Sequence, residues 1–357
     1  MDNIHFIHEG QFESKFIEFI NNYGFNEYNK FLIFSNNNAV TNIKTLPNVL
    51  INNINLKKDY ISVKRKCENV DKIFIHGLFA KQWVLFFYLN PKLLKKAVWV
   101  IWGGDLYYYK YRNINFKSNL YENILRRTVI KNLSEIGAII KGDYDIAKKI
   151  YATNAKYKYI FYPNPVNFKF LDNVTPNERN NNILKIQIGN SADPNNEHLE
   201  ILNNLIKFKD KKIKIICPLS YGNKTYANKI TEYGFKLFGD KFEPLTEYLV
   251  PEEYSKVLSD VDIAIFNHRR QNALGNIISL LYLGKKVYIR SEITPWGYFR
   301  DLGVKLNDTI NLNNLNFKNF IETDDQVRKT NKEIVAKEFS EEHCVELWKK
   351  VLENKGE

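Results

Sequence analysis

The sequence is poor in the residues that build disulfide frameworks and metal sites. Its 357 residues include three cysteines, Cys67, Cys217 and Cys344, widely separated and odd in number. No CxxC pair and no Cys/His spacing of the zinc-binding kind occurs, so a disulfide-stapled scaffold is excluded and no metal or other cofactor is expected. Long apolar runs are missing too: the greasiest stretch, WVLFFYL at residues 83–89, is far too short to cross a bilayer. Acidic excess is absent, with 52 Lys and Arg against 40 Asp and Glu, a net +12. That balance suits an anionic partner: a phosphorylated small molecule, a nucleic acid or an anionic membrane face. The lysines are scattered and no RRM, OB or helix-turn-helix pattern accompanies them, which argues against nucleic acid. Met1 leads straight into a charged, strand-like segment, so a cytoplasmic chain without a secretory leader is expected.

What is present is an alternation of short apolar strands and helical segments, repeated twice. The length exceeds one ordinary core. Strands are expected at residues 4–7, 30–34, 70–76, 97–102, 136–140 and 157–161, and again at 183–188, 212–217, 262–266 and 286–289. Continuous apolar strands separated by helices imply parallel sheets covered on both faces. The polar, Pro-containing stretch 172–182 is the expected boundary. The predicted fold class is α/β, two doubly wound Rossmann-like domains facing a cleft: residues 1–170, residues 183–338, and a last helix over 339–357 that packs back on the first domain.

Ligands of such sheets sit outside the carboxyl ends of the strands, so the residues there carry the chemistry. In the first half these are His8-Glu9, His76-Gly77, Gly103-Gly104-Asp105 and Gly142-Asp143. Asp105, a carboxylate after two glycines at a strand end, suits a base or a hydroxyl ligand, although a helix or turn cap would use the same residue. Residues 83–96 join an aromatic face to Lys92, Lys95 and Lys96, a pattern that fits either a headgroup layer or a core-facing helix with a basic end. In the second half, residues 183–198 (ILKIQIGNSADPNNEH) read as strand, Gly turn, polar loop and a helix beginning near Asn195, the local geometry that holds an anion. Residues 268–275 set Arg269 and Arg270 between a buried strand and a helix start, where guanidinium forks match phosphate oxygens in pairs. Titratable rim residues in one half and phosphate-holding loops in the other suit group transfer from a nucleotide-linked donor.

Five pieces of the chain, IGNSADPNNEH (188–198), HGLF (76–79), VWVIWGGDLYYY (98–109), PLSYGN (218–223) and RRQNALGNIISLLYLGKKV (269–287), resemble the bacterial 4-acetamido-4,6-dideoxy-galactose transferases. These are the TDP-Fuc4NAc:lipid II transferases of enterobacterial common antigen synthesis, glycosyltransferase family 56. The resemblance implies a GT-B fold and an inverting, metal-independent reaction. It implies a dTDP-sugar donor, a polyprenyl-diphosphate-linked glycan acceptor, and a peripheral place on the inner face of the bacterial inner membrane. It sets Gly189, Asn190 and Ser191 along the diphosphate, Tyr221 near the base or sugar, and Arg270, Gln271 and Gly275 on the donor. Asp105 and His76 become base and orienter in either order. Beside what the resemblance implies, His8, Glu9, Gly103, Gly104 and Tyr107 are further acceptor-side candidates. Many GT-B enzymes place a ribose-binding Glu in the helix that here reads Asn276-Ile277-Ile278-Ser279-Leu280-Leu281. A deoxyribose lacks the 2′-OH, so the missing carboxylate is compatible with dTDP. A UDP- or GDP-sugar donor, a sugar-nucleotide epimerase of the same fold, and a basic carbohydrate- or nucleic-acid-binding module stay open as alternatives.

Overall fold

The computed structural model describes residues 2–34, 46–51, 56, 58–108, 121–163, 168–174 and 183–353. The chain divides into two compact units, Met1–Pro163 with Glu341–Glu357, and Asn164–Ser340. The second unit takes in the helix Phe168–Asn173, whose Phe168 ring stacks on Tyr282 at 4.1 Å. The chain therefore changes unit ahead of the polar stretch 172–182, of which residues 175–182 lie outside the described ones.

In the first unit seven parallel strands run β1 (Asn3–His8), β2 (Asn29–Phe34), β3 (Val49–Ile51), β4 (Lys72–His76), β5 (Ala97–Val100), β6 (Glu135–Ala138) and β7 (Lys156–Tyr159). Their spatial order is β3-β2-β1-β4-β5-β6-β7. The order reverses between β1 and β4, which marks the switch point where a doubly wound sheet opens for ligands. Helices α1 (Gln11–Asn22), α2 (Tyr60–Glu68), α3 (Lys81–Leu89), α4 (Pro91–Leu94), α5 (Arg127–Lys131) and α6 (Lys141–Tyr151) connect them. The continuous apolar strands read from the sequence are there because both faces are covered: Phe6, Phe74, Ile75, Val98 and Trp99 are fully buried. Gly142 and Asp143 lie in the first turn of α6, just past the carboxyl end of β6, and Asp143 is buried.

Residues 83–96 are mainly structural. Trp83, Val84, Phe86 and Phe87 of α3 are buried in the core, while Leu85 and Leu89 are exposed, with Lys92 and Lys95 exposed beside them.

The last helix of the chain, Glu341–Glu353, belongs to this first unit. Trp348 is fully buried against Phe16 at 4.6 Å, and its Nε1 donates to the Phe161 carbonyl at 2.8 Å.

The second unit holds six parallel strands, β8 (Leu184–Ile188), β9 (Ile213–Pro218), β10 (Phe242–Leu245), β11 (Ile263–Phe266), β12 (Lys286–Ile289) and β13 (Asn307–Asp308), in the order β10-β9-β8-β11-β12-β13. Here the switch point lies between β8 and β11. The helices are α7 (Phe168–Asn173), α8 (His198–Leu205), α9 (Lys224–Phe238), α10 (Pro251–Asp260), α11 (Leu274–Tyr282), α12 (Thr294–Asp301), α13 (Phe317–Ile321) and α14 (Asp325–Glu338); α15 (Glu341–Glu353) is the helix of the first unit just described. Local chemistry sets several starts. Asn223 caps α9 through Tyr226 N–H, and Asp324 caps α14 through two N–H groups. Pro251 opens α10 while Glu253 reaches back to Val250 N–H.

Candidate active site

The β8 loop is shaped by one glycine. Gly189 sits at φ +65°, and a Cβ there would collide with the buried His198 ring and stand 2.6 Å from Asn196 Oδ1, which favours glycine on both counts. The helix expected near Asn195 begins later. Pro194–Asn196 form a single 3-10 turn, Glu197 takes a left-handed backbone at φ 53°, and α8 starts at His198. That extra turn swings the Asn196 side chain under the loop, where its Oδ1 accepts from Asn190 N–H at 3.0 Å.

Asn196 Oδ1 is thereby fixed as an acceptor, so His268 must donate to it from Nε2, at 2.8 Å. The same Nε2 lies 3.1 Å from Asn190 Oδ1, and Asn190 Nδ2 donates to the Tyr221 hydroxyl at 2.8 Å. Burial, with the Arg270 charge adding to it, pushes His268 down to about 3. His198, equally buried, is pushed down to about 4. Both rings are neutral at pH 7. Arg270 closes the circuit from the β11 side: its Nη2 meets Asp193 Oδ2 at 2.8 Å and its Nη1 donates to the Gln271 carbonyl.

The structure thus brings Gly189, Asn190, Ser191, Tyr221, Arg270 and Gln271 into one cluster at the switch point, with Gly275 in the first turn of α11 beside it. Two expectations change. The N–H groups of Gly189 and Asn190 are spent on Ile265 O and Asn196 Oδ1, so they do not face a diphosphate. Arg269 is not a free fork, because Glu197 holds it at 2.7 Å. Among the described residues the donors at this edge include the first-turn N–H groups of α11, which have no intrahelical acceptor, and the rest of the Arg270 fork. The Tyr221 residue is 57% exposed although its hydroxyl is pinned, which presents a ring face next to the loop.

Several residues of this cluster had no clear sequence signal. Gln187 lies buried in β8 and donates to Gly189 O at 3.1 Å and to Tyr254 OH at 3.2 Å, and Tyr254 OH donates to Asn276 Oδ1 at 2.5 Å. Arg290, at the end of β12, is 8% exposed and donates to Asn267 Oδ1 at 3.0 Å. A polar residue inside an apolar strand, as Gln187 is, was the one readable hint.

In the first unit the structure gives Asp105 a different task from the one expected. It is fully buried, and both oxygens are saturated. Oδ2 accepts from Leu78 N at 2.9 Å and Trp99 Nε1 at 2.7 Å; Oδ1 accepts from Trp102 N and Leu106 N, each at 3.0 Å. Four N–H donors leave no lone pair to take a proton from a substrate, so Asp105 ties together the loops after β4 and β5. Arg126, also buried, donates to the carbonyls of Leu78 and Asp105 in the same knot.

His76 is likewise enclosed. Asn29 Nδ2 donates to Phe25 O, so its Oδ1 is the acceptor facing His5 Nε2 at 2.9 Å. His5 then offers a bare Nδ1 to His76 Nε2–H at 2.8 Å. His76 Nδ1 takes the Tyr162 hydroxyl proton, and the Tyr162 oxygen accepts from Trp102 Nε1 at 3.1 Å. Every tautomer follows from one amide. Burial pushes His5 down to about 4 and His76 well below its ordinary value. The expectation of His76 as base therefore loses its geometric support.

The weaker candidates are scattered along the rim. His8 stacks on Trp83 at 4.2 Å, and Glu9 N–H bonds Phe34 O. Gly103 turns at φ +84°, and Gly104 packs near Phe79. Tyr107 is buried, with its hydroxyl 3.4 Å from Asp143. Among the described residues no group of three or more His, Cys, Asp or Glu could hold a metal ion, and no helix is long and apolar enough to cross a membrane.

Two doubly wound parallel units make up a fold of the GT-B type, and solved structures agree on it. A glycosyltransferase from Rickettsia africae matches with TM-score 0.69 at 16% identity, over 99% of each chain. Anabaena HepE in complex with UDP-glucose matches with TM-score 0.71 at 12% identity, over 98% of this chain and 99% of that one. WaaG, a glycosyltransferase involved in lipopolysaccharide biosynthesis, matches with TM-score 0.62 at 10% identity, over 99% and 100%. The family model described as 4-alpha-L-fucosyltransferase, glycosyl transferase group 56, matches residues 11–356, and the chain belongs to that family.

The buried histidines set a pH dependence. His5 and His198 titrate near 4 in the folded chain and His268 near 3, against an ordinary 6.5. Between those values the unfolded chain binds more protons, so stability is held in full above pH 6.5 and lost as pH falls through the window. The slope is roughly 1.4 kcal/mol per pH unit for each histidine. Thermal melts from pH 7 to 4.5 should show a falling Tm, with a shallower slope in His268→Gln. A flat profile would contradict the burial assigned to these rings.

Proposed function

We propose that this chain moves a 4-acetamido-4,6-dideoxy-galactose-like sugar from a dTDP donor to a polyprenyl-diphosphate-linked saccharide, with inversion and without a metal, in bacterial surface polysaccharide synthesis. The observation that carries it is the cluster at the β8/β11 switch point. It joins Asn190, Asn196, Tyr221, His268 and Arg270 beside the N-terminus of α11, a place built for a nucleoside diphosphate. Membership of family 56 supplies the reaction class.

In this reading the second unit receives the donor. The α11 dipole with its first-turn N–H groups and the uncommitted part of the Arg270 fork stabilise the charge that builds on the leaving diphosphate. The exposed Tyr221 ring offers a face for the pyrimidine or the sugar. The first unit receives the acceptor hydroxyl. The exposed Leu85 and Leu89 with Lys92 and Lys95 supply a contact for the anionic membrane that carries such an acceptor.

Melting the protein with dTDP, UDP, GDP or CMP tests the donor, because a ligand that binds the folded state raises Tm by mass action. A selective rise with dTDP is expected. A selective rise with UDP, the nucleotide of the HepE complex, would keep the transferase and replace the donor. No rise with any of the four would remove the nucleotide site. For the membrane contact, sedimentation with anionic vesicles should carry the protein down at low salt and release it at high salt. Equal pelleting with neutral vesicles, or none at all, would dismiss that contact.

A further inference from the structure

With Asp105 saturated and His76 enclosed, the proton acceptor for the transfer has to be sought elsewhere on the rim of the first unit. Glu13 stands in the first turn of α1, directly after the carboxyl end of β1 and beside the β1/β4 switch point. It is half-buried, and its own backbone N–H bonds its carboxylate. Burial raises it above the ordinary glutamate value. The carboxylate folds back over Gly10, where any Cβ would collide with it. The backbone of Gly10 is fully extended, so its smallness serves space and not conformation.

Beside this rim the histidine relay fixes the Tyr162 proton. The single proton of the Tyr162 hydroxyl is committed to His76 Nδ1. The proton of Trp102 Nε1 goes to the Tyr162 oxygen. The relay that runs from Asn29 through His5 and His76 holds the phenol in that sense.

We propose that Glu13 is the catalytic residue that takes the proton of the acceptor hydroxyl, an assignment that rests on the transferase reading above. As the acceptor oxygen bonds to the anomeric carbon of the donor, the bond from that carbon to the diphosphate oxygen breaks and its electron pair leaves with the nucleoside diphosphate. The hydroxyl proton passes to a Glu13 carboxylate oxygen. Among the described residues the other titratable groups along this rim include His8, which burial lowers and which stacks on Trp83, Glu9, Tyr107, His76, Asp105 and Tyr162. Burial leaves Tyr162 protonated and His76 neutral, and Asp105 is buried under four donors.

The test is turnover of dTDP-4-acetamido-4,6-dideoxy-galactose onto a polyprenyl-diphosphate disaccharide, followed from pH 5 to 9, with Tm and the nucleotide-induced Tm rise measured on the same samples. Glu13→Gln should cut kcat by roughly 100-fold or more, abolish the acid limb of the pH profile, and leave the Tm rise with nucleotide intact. Gly10→Ala, which displaces the carboxylate without removing it, should lower kcat and keep the acid limb. Glu18→Gln, on the exposed side of the same helix, should change neither. Asp105→Asn should behave differently, losing Tm before anything else, because its amide turns two buried N–H donors into orphans. Near-normal kcat with an unchanged acid limb in Glu13→Gln would overturn the assignment while the transferase stands. A wild-type chain that binds no nucleotide and transfers no sugar would remove the transferase reading and this assignment with it.

Discussion

One amide oxygen, Oδ1 of Asn196, is the point on which the second unit's site depends. It accepts from the backbone of the β8 loop and from a histidine that follows β11, and so pins two loops that are 72 residues apart to one point at the switch of the sheet. In a buried setting such a bond is strong and its loss leaves two donors stranded, so the loops hold one shape. The constraint reaches outward: glycine is favoured at 189 because it clears that oxygen, Glu197 must adopt a left-handed backbone to present it, and His268 must stay neutral to fit. Arg270 and Tyr221 are oriented by the same loop through Asp193 and Asn190.

The first unit solves a similar problem with a carboxylate. Asp105 gathers four N–H groups from the loops after β4 and β5, and Arg126 satisfies the carbonyls that those loops leave over. A charged acceptor with every lone pair filled organises backbone better than it accepts protons. The polarised chain from Asn29 to Trp102 does the complementary job, fixing the direction of each hydrogen bond across the rim. Rigid scaffolding of this kind leaves half-buried groups such as Glu13 available for chemistry.

Much of this layout is written in local sequence. Strands such as KIFIH at β4 and IAIF at β11 are short, apolar and bounded by polar turns, so the parallel sheets can be read without coordinates. The loops at 188–198 and 269–275 can be read for the same reason, and both fall at the switch point. Three strands escape such reading: β3 and β13 are only three and two residues long, and β10, FEPL, contains a proline and a charge. Side-chain roles escape for another reason. The type and position of Asp105 are visible in Gly103-Gly104-Asp105, but the four donors that saturate it come from Leu78, Trp99, Trp102 and Leu106, brought together only by folding. The engagement of Arg269 by Glu197, 72 residues away in the chain, is equally invisible from the loop alone.

The central claim is that a nucleoside diphosphate binds on the loops pinned by Asn196. Hydrogen–deuterium exchange of the protein with and without saturating dTDP tests it most directly. The account predicts that added protection concentrates in peptides covering residues 188–198, 218–223 and 267–277, with little change in the loops after β10, β12 and β13. Protection confined to the first unit, or spread evenly along the chain, would contradict it.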